Sequence, residues 1–308
     1  MNGTTHQLEV RHLTRYTYDR PVQRSTHKLH VRPVMDRRQI VREYCLQISP
    51  AVQLIEYDDV FGNAAARFEM HEPYSELSIT ATSLVEIVDV DPFAFASVPI
   101  RPQFPLVWMP WQRLMLQPYL QPVELPETQL EEITDYAMGY VQRNNSDLME
   151  TLFAINMGLH RELKYVPGST TVDTTPYEVL TTRTGVCQDF ANLFISMARL
   201  LGIPARYMCG YLYTGNRSSP NVGCDASHAW VELYIPNVGW KGFDPTNGKL
   251  AHQDHIRVAC GRHYLDTAPT AGTLFSPAVD SMSVDVEVTG RAPNDDRELP
   301  QTELTNRS

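Results

Sequence analysis

Eight prolines fall between Asp91 and Pro126, at positions 92, 99, 102, 105, 110, 118, 122 and 126. Proline lacks a backbone N–H and clashes with the preceding turn, so this density predicts neither a regular helix nor a central strand there. The chain of 308 residues is thereby divided in two, with enough length and apolar content (43% hydrophobic) for a core on each side. Trp108 and Trp111 lie in this connection in the run Trp-Met-Pro-Trp. Exposed indoles leave much apolar area in water, so the connection is expected to lie against a domain.

Upstream, short aromatic and β-branched runs alternate with turn-formers: 15–18, 28–31, 43–48, 52–57, 65–70 and 76–90. Asp59, Gly62 and Asn63 supply a hairpin turn. The pattern predicts an all-β sandwich or barrel over residues 1–92. Downstream of the connection (93–126), helices are expected over 127–142 and 146–163. Ser146 and Asp147 stand as cap and first-turn anion of the second. A short helix over 176–180 starts with proline at its first position. Residues 127–290 form the second unit, and the polar stretch 291–308, without aromatics, reads as a disordered tail.

Charge and cysteine content exclude several classes. A net charge of −10 disfavours nucleic acid as a partner, since such binding rests on Lys and Arg neutralising phosphates. Residues 1–45 nevertheless hold nine basic against four acidic residues, leaving 17 against 32 in the rest; the basic stretch reads as a solvated face. Neither a basic start followed by an apolar stretch nor about 18 uninterrupted apolar residues occurs, so a cytoplasmic protein with no membrane span is expected. Five cysteines without a C-x-x-C pair suit free thiols in a reducing compartment better than disulfides or a zinc ribbon. His252, Asp254, His255, Cys260 and His263 cluster, but their spacing matches no familiar metal site, and neither metal nor cofactor is expected.

Two segments carry chemistry. Phe190, Leu193, Phe194, Met197, Leu200 and Leu201 recur every three or four residues, the stripe of a helix buried on one side. Gly202 and Pro204 stop it. Gly185 allows a tight approach, which sets Cys187 in the first turn. A thiolate is the reactive form of cysteine and is favoured where free N–H groups and the helix dipole meet. Further on, Ala229, Val231, Leu233 and Ile235 alternate with His228, Trp230, Glu232 and Tyr234, the period-two pattern of a half-buried strand. Residues 236–239 turn, and 240–244 return as a strand bringing Asp244 toward His228.

The register of this hairpin decides whether they meet. A four-residue loop pairing Ile235 with Trp240 would set Asp244 opposite Val231, on the wrong face. A three- or five-residue loop, or a bulge, is therefore predicted, so that the carboxylate reaches the imidazole at Nδ1.

Gly185-Val-Cys-Gln-Asp-Phe-Ala191, Gly202-Ile-Pro-Ala-Arg-Tyr207 running into Gly210-Tyr-Leu212, Ser227-His-Ala-Trp-Val-Glu232 and Gly239-Trp-Lys-Gly-Phe-Asp-Pro-Thr246 resemble the bacterial branch of the transglutaminase-like superfamily. Asp254-His-Ile-Arg-Val-Ala-Cys-Gly-Arg-His-Tyr-Leu-Asp266 with Pro269 resembles its C-terminal segment. Arg15-Tyr-Thr-Tyr18, Pro21-Val22 and Leu29-His-Val-Arg-Pro33 resemble its accessory β domain. Asn192 departs from the histidine expected there, and the zinc-binding cysteine pairs of peptide:N-glycanase relatives are absent from the sequence.

The resemblance implies an α+β papain-like core, in which a helix bearing the cysteine packs on an antiparallel sheet bearing His and Asp. It implies Cys187 as nucleophile, His228 as base and Asp244 as its orienter. An oxyanion would meet the Cys187 N–H and a second donor among Gln188, Tyr165, Trp108 and Trp111. Trp108, Asp189, Ser227 and Trp230 are candidates for lining a substrate cleft; Tyr207, Tyr211 and Tyr213 fit core packing as readily. Hydrolysis of a peptide-like amide is favoured over transfer to an amine because water needs no dedicated pocket. A non-catalytic binding module of the same fold is the reading from another class. Spacing leaves oligomeric state open.

Overall fold

A computed structural model describes residues 5–94, 101–215, 227–275 and 277–291. The chain begins with β1 (Thr5–Val22), β2 (Ser25–Leu29), β3 (Gln39–Ser49), β4 (Ile55–Asp58), β5 (Ala64–Met70) and β6 (Tyr74–Val88). Then come α1 (Pro110–Leu120), α2 (Glu127–Arg143), α3 (Leu148–Glu162), β7 (Lys164–Tyr165), α4 (Pro176–Thr182), β8 (Thr184–Gly185) and α5 (Cys187–Leu200). The rest comprises β9 (Ala205–Leu212), β10 (His228–Ile235), β11 (Gly239–Asp244), β12 (Lys249–Leu250), β13 (His255–Gly261), α6 (Tyr264–Thr267), β14 (Thr270–Leu274) and β15 (Asp280–Arg291).

Two four-stranded antiparallel sheets, β15-β1-β6-β3 and β14-β2-β5-β4, face each other as a sandwich. Phe68 and Met70 from one meet Tyr18, Leu77 and Ile79 from the other in a common core. The first two strands of each order come from opposite ends of the chain: β15 runs beside β1 from Gln7↔Arg291 to Tyr18↔Asp280, and β14 beside β2. Strands within 270–290, grouped by sequence with the second unit, thus complete the sheets of the first. A period-two strand announces its buried face but not its partner. Of the expected tail, 291–308, Arg291 ends β15 and the rest lies outside the described residues.

A five-stranded sheet, β12-β11-β10-β9-β13, forms the second unit with the helices. On one face, Ala229, Val231, Leu233, Tyr207 and Cys209 pack against Phe190, Phe194, Ala198 and other residues of α5, backed by Ile133 of α2 and Leu152 and Ile155 of α3. Burying a Leu or Phe side chain contributes about 1.5–3 kcal/mol, so this layer fixes where the α5 N-terminus lies. The opposite face is covered by the sandwich: Phe61 packs near Trp230, Met208 and Cys260, while Leu8, Val10, Val85 and Ile87 meet Tyr211, Ile256 and Val258.

Two local expectations change. The proline-rich connection does contain a helix, α1, because Pro110 occupies its first turn, where no N–H is needed, and Pro118 falls in its last turn. Trp108 lies against the domain, donating its indole N–H to Gly202 O at 2.9 Å, but Trp111 is 67% exposed on α1. The cap of α3 is Asp147, which accepts from Glu150 N–H; Ser146 turns left-handed at φ 62° just before it.

Candidate active site

Cys187 is the first residue of α5. The first hydrogen bonds of that helix run from Asp189 and Phe190 N–H to Val186 O, so the Cys187 and Gln188 N–H groups precede the helical ladder. Asp189 folds back to hold this start: its Oδ2 accepts from Val186 N–H and from the Thr170 hydroxyl, each at 2.7 Å. Burial pushes its carboxyl up, against those two donors. Glycine at 185 is required for this arrangement, since a Cβ there would lie 2.9 Å from the same Oδ2. Asp189 is 1% exposed and therefore braces the helix start rather than lining a cleft, as the sequence suggested.

The β10–β11 hairpin closes with a three-residue loop, 236–238, pairing Ile235 with Gly239 and Val231 with Phe243. Asn237 is left-handed at φ 63° and Gly239 follows at φ 90°, the backbone that so short a connection demands. Carried one step further, the register sets Asp244 opposite Trp230, two residues from His228 and on its face. The loop is one of the lengths the sequence required.

His228 Nε2 lies 2.9 Å from Asp244 Oδ2. The carboxylate therefore meets Nε2, not the Nδ1 expected from sequence, and the Cys187 thiol acts on the same ring. Burial pushes the imidazole down, but the Asp244 charge and hydrogen bond, joined by the Cys187 thiol, outweigh it and raise His228 to about 10. For Asp244, burial pushes up, while His228 and His255 together hold the carboxyl well below the usual range. Asp244 is fully buried, and its Oδ1 accepts from the Thr246 and Asn247 N–H groups at 3.0 and 3.1 Å. The Asn247 amide adds a bond to Oδ2 at 2.6 Å.

Two neighbours of Asp244 had no role in the sequence reading. Asn247 is one. The other is His255, whose Nε2 lies 3.1 Å from the same Oδ2. It had been grouped only with a loose set of possible metal ligands. His228, Asp244 and His255 converge tightly, but both nitrogens sit at hydrogen-bond distance from one oxygen, 2.9 and 3.1 Å, which is the spacing of two donors on one acceptor. His255 Nδ1 is held in turn by Asp254 Oδ1 at 2.6 Å.

The other candidates separate. Trp108 sits at Gly202, beyond the far end of α5 and about 20 Å from Cys187 by helix rise, too far for an oxyanion or cleft role. Trp111 is exposed on α1. Trp230 is fully buried, its ring stacked on His228 at 5.9 Å between centroids, so it packs the base from behind instead of meeting substrate. Ser227 precedes the histidine and bonds the Cys209 thiol, which burial pushes up to about 12. Tyr165 pairs with Gly185 across a parallel bridge, two residues from Cys187. Among the described residues Cys45, Cys187, Cys209 and Cys260 form no disulfide; Cys224 lies outside them.

A helix carrying a cysteine at its N-terminus, packed on an antiparallel sheet that supplies a buried His–Asp pair, is a transglutaminase-like core. The chain belongs to the transglutaminase-like superfamily: residues 134–245 match that family's profile, and 8–86 match the bacterial transglutaminase-like N-terminal region. It is 33% identical over 303 residues to the uncharacterized protein Rv2569c of Mycobacterium tuberculosis, covering 92% of both chains. A protein-glutamine gamma-glutamyltransferase of Pseudomonas aeruginosa is 35% identical over 85 residues, 26% of this chain and 12% of that one. In fold, the chain resembles a crystal structure from Cytophaga hutchinsonii provisionally assigned as a cysteine protease, with a TM-score of 0.72, 23% identity, and 93% and 91% of the two chains covered.

Proposed function

We propose that this protein is a cysteine hydrolase acting on a peptide-like amide through a thioester at Cys187. The observation that carries this reading is the single imidazole shared by a helix-terminal thiol and a fully buried carboxylate. His228 takes the thiol proton and becomes imidazolium, stabilised by Asp244. The thiolate attacks the amide carbon, and the carbonyl oxygen, now negative, is met by the free N–H groups at the α5 start. Collapse breaks the C–N bond; the amine leaves with the imidazolium proton, and a thioester remains. Water, deprotonated by His228, attacks the thioester, expels the thiolate and yields the acid.

Transfer to an amine differs only in this last acceptor, and the short similarity to a gamma-glutamyltransferase favours keeping it as the second reading. Exposure of the protein to a mixed peptide pool, followed by mass spectrometry, is expected to show an acyl adduct on Cys187 that is absent in Cys187→Ala. Turnover by Cys187→Ala would refute both readings. Product analysis with excess amine divides them: free acid alone supports hydrolysis, and amide product supports transfer.

A further inference from the structure

We propose that the outer face of α1 is a self-association surface, by which two copies of this chain join through their α1 helices about a twofold axis. This surface lies apart from the Cys187 chemistry and does not depend on it.

α1 is apolar on two opposite sides. Inward, Leu116 is buried and Tyr119 meets Trp240 edge-on at 5.1 Å, where the helix lies against α5 and β9. Outward, Leu114, Met115 and Pro118 follow Trp111 at three, four and seven residues, the stripe of a single helix face, and all four are exposed. The stripe continues upstream. Leu106 packs against the helical core and Trp108 bonds Gly202 O, while Val107 and Met109 alternate with them and are exposed. A helix that is apolar all round belongs in an interior, and this one has an interior on one side only.

The helix is fixed without a partner. Pro110 stands in its first turn, Met109 N–H donates to Gln112 Oε1 at 3.0 Å, and Gln121 O just beyond its end accepts from Arg199 Nη1 of α5 at 3.3 Å. The stripe is thus presented by an ordered element, which lowers the entropy cost of docking on it.

Area and charge select the occupant. Val107, Met109, Trp111, Leu114 and Met115 are 61–88% exposed. At roughly 150–250 Å² for a residue of this size, the five leave about 700 Å² in water. That exceeds the patch of about 300–600 Å² usual on a monomer and approaches what each partner gives to a specific interface, about 800 Å². Between Arg101 and Glu124 the only charge is Arg113, in a chain of net charge −10. Two copies meeting along this segment therefore bring none of its side chains into acidic repulsion. A membrane surface fits less well: interfacial helices use Lys and Arg to meet anionic headgroups, and one Arg on an acidic protein does not supply that attraction. An antiparallel pairing about an axis between Leu114 and Met115 matches the stripe to itself, with Trp111 of one copy against Pro118 of the other. A twofold contact of this kind closes at two subunits.

The test is sedimentation velocity of the full chain from about 1 to 100 μM, a range that brackets a weak to moderate dimer. A dimer that dissociates on dilution is expected. Leu114→Glu sets two carboxylates against each other at the axis and should weaken association by about hundredfold or more. Val60→Glu, at a position 92% exposed in the sandwich, is the control and should leave association unchanged. A second readout needs no variant: the fraction of tryptophan emission open to acrylamide should fall as concentration rises, because Trp111 becomes covered. A monomer at the highest concentration overturns the proposal, whether Trp111 is then open to acrylamide or shielded by another part of its own chain. A monomer that binds phosphatidylcholine vesicles through Trp111 overturns it in favour of a membrane surface. A dimer that Leu114→Glu leaves intact overturns it as well, since the contact then lies on another face.

Discussion

Ile235 pairs with Gly239 across the β10–β11 hairpin, and this single pairing puts Asp244 on the face of His228. One residue more or less in the loop exchanges the faces of β11 relative to β10. Inserting one glycine after Asn237 is therefore expected to remove the His228–Asp244 contact while leaving the helical layer in place. The readout is the acidic-pH alkylation rate of Cys187, which should fall toward that of a free thiol; an unchanged rate would show that the hairpin register does not govern the site.

Replacement of Asp244 with asparagine should give a stability loss that depends on pH with a definite sign. The His228 pKa is raised to about 10, so its contribution is complete below its unfolded value near 6.5 and disappears as pH climbs through about 10. The Asp244 pKa is depressed, so its share is complete above an unfolded value near 3.9 and disappears as pH falls through the folded one. Both act together between about pH 4 and 6.5. The difference in Tm between wild type and Asp244→Asn should be greatest in that window and narrow by about pH 10; a gap that widens with rising pH contradicts the assignment.

Gly210 occupies the crossing of β10, β9 and β13, opposite both His228 and Arg257. A Cβ there would lie 2.0 Å from the Ile256 carbonyl oxygen and 2.6 Å from Trp230 Cη2. Neither can yield freely, the first being backbone and the second fully buried. Gly210→Ala is expected to cost about 3 kcal/mol, at the upper end of overpacking, as measured by urea denaturation. A loss within experimental error would show that β13 can move outward at no cost.

Trp230 is packed against both histidines, stacked on His228 and edge-on to His255 at 5.1 Å. Its indole Nε1 is buried without a partner among the described residues. Truncation to alanine should cost about 3–5 kcal/mol, whereas phenylalanine removes an unpaired donor along with some packing and should cost clearly less. Equal losses in the two variants, in the same denaturation assay, would mean that the indole N–H has a bond worth keeping.

The parts of the site that could be read from the chain alone are those fixed by short-range rules. The three- and four-residue spacing from Phe190 to Leu201 placed α5, and with it Cys187 at a helix start. Alternation from His228 to Ile235 placed β10, and hairpin geometry narrowed the loop after it to lengths that bring Asp244 to the base. Periodicity and turn chemistry act within one element or between chain neighbours, so they survive in the sequence.

The tertiary structure decided what depends on segments far apart. It chose Nε2 as the nitrogen facing Asp244, brought His255 to the same carboxylate, and seated β14 and β15 in the N-terminal sheets. It also withdrew Trp108, Asp189 and Trp230 from the cleft. Each of these follows from which buried faces meet, and a strand or helix carries the pattern of its own face without the identity of the face that will cover it.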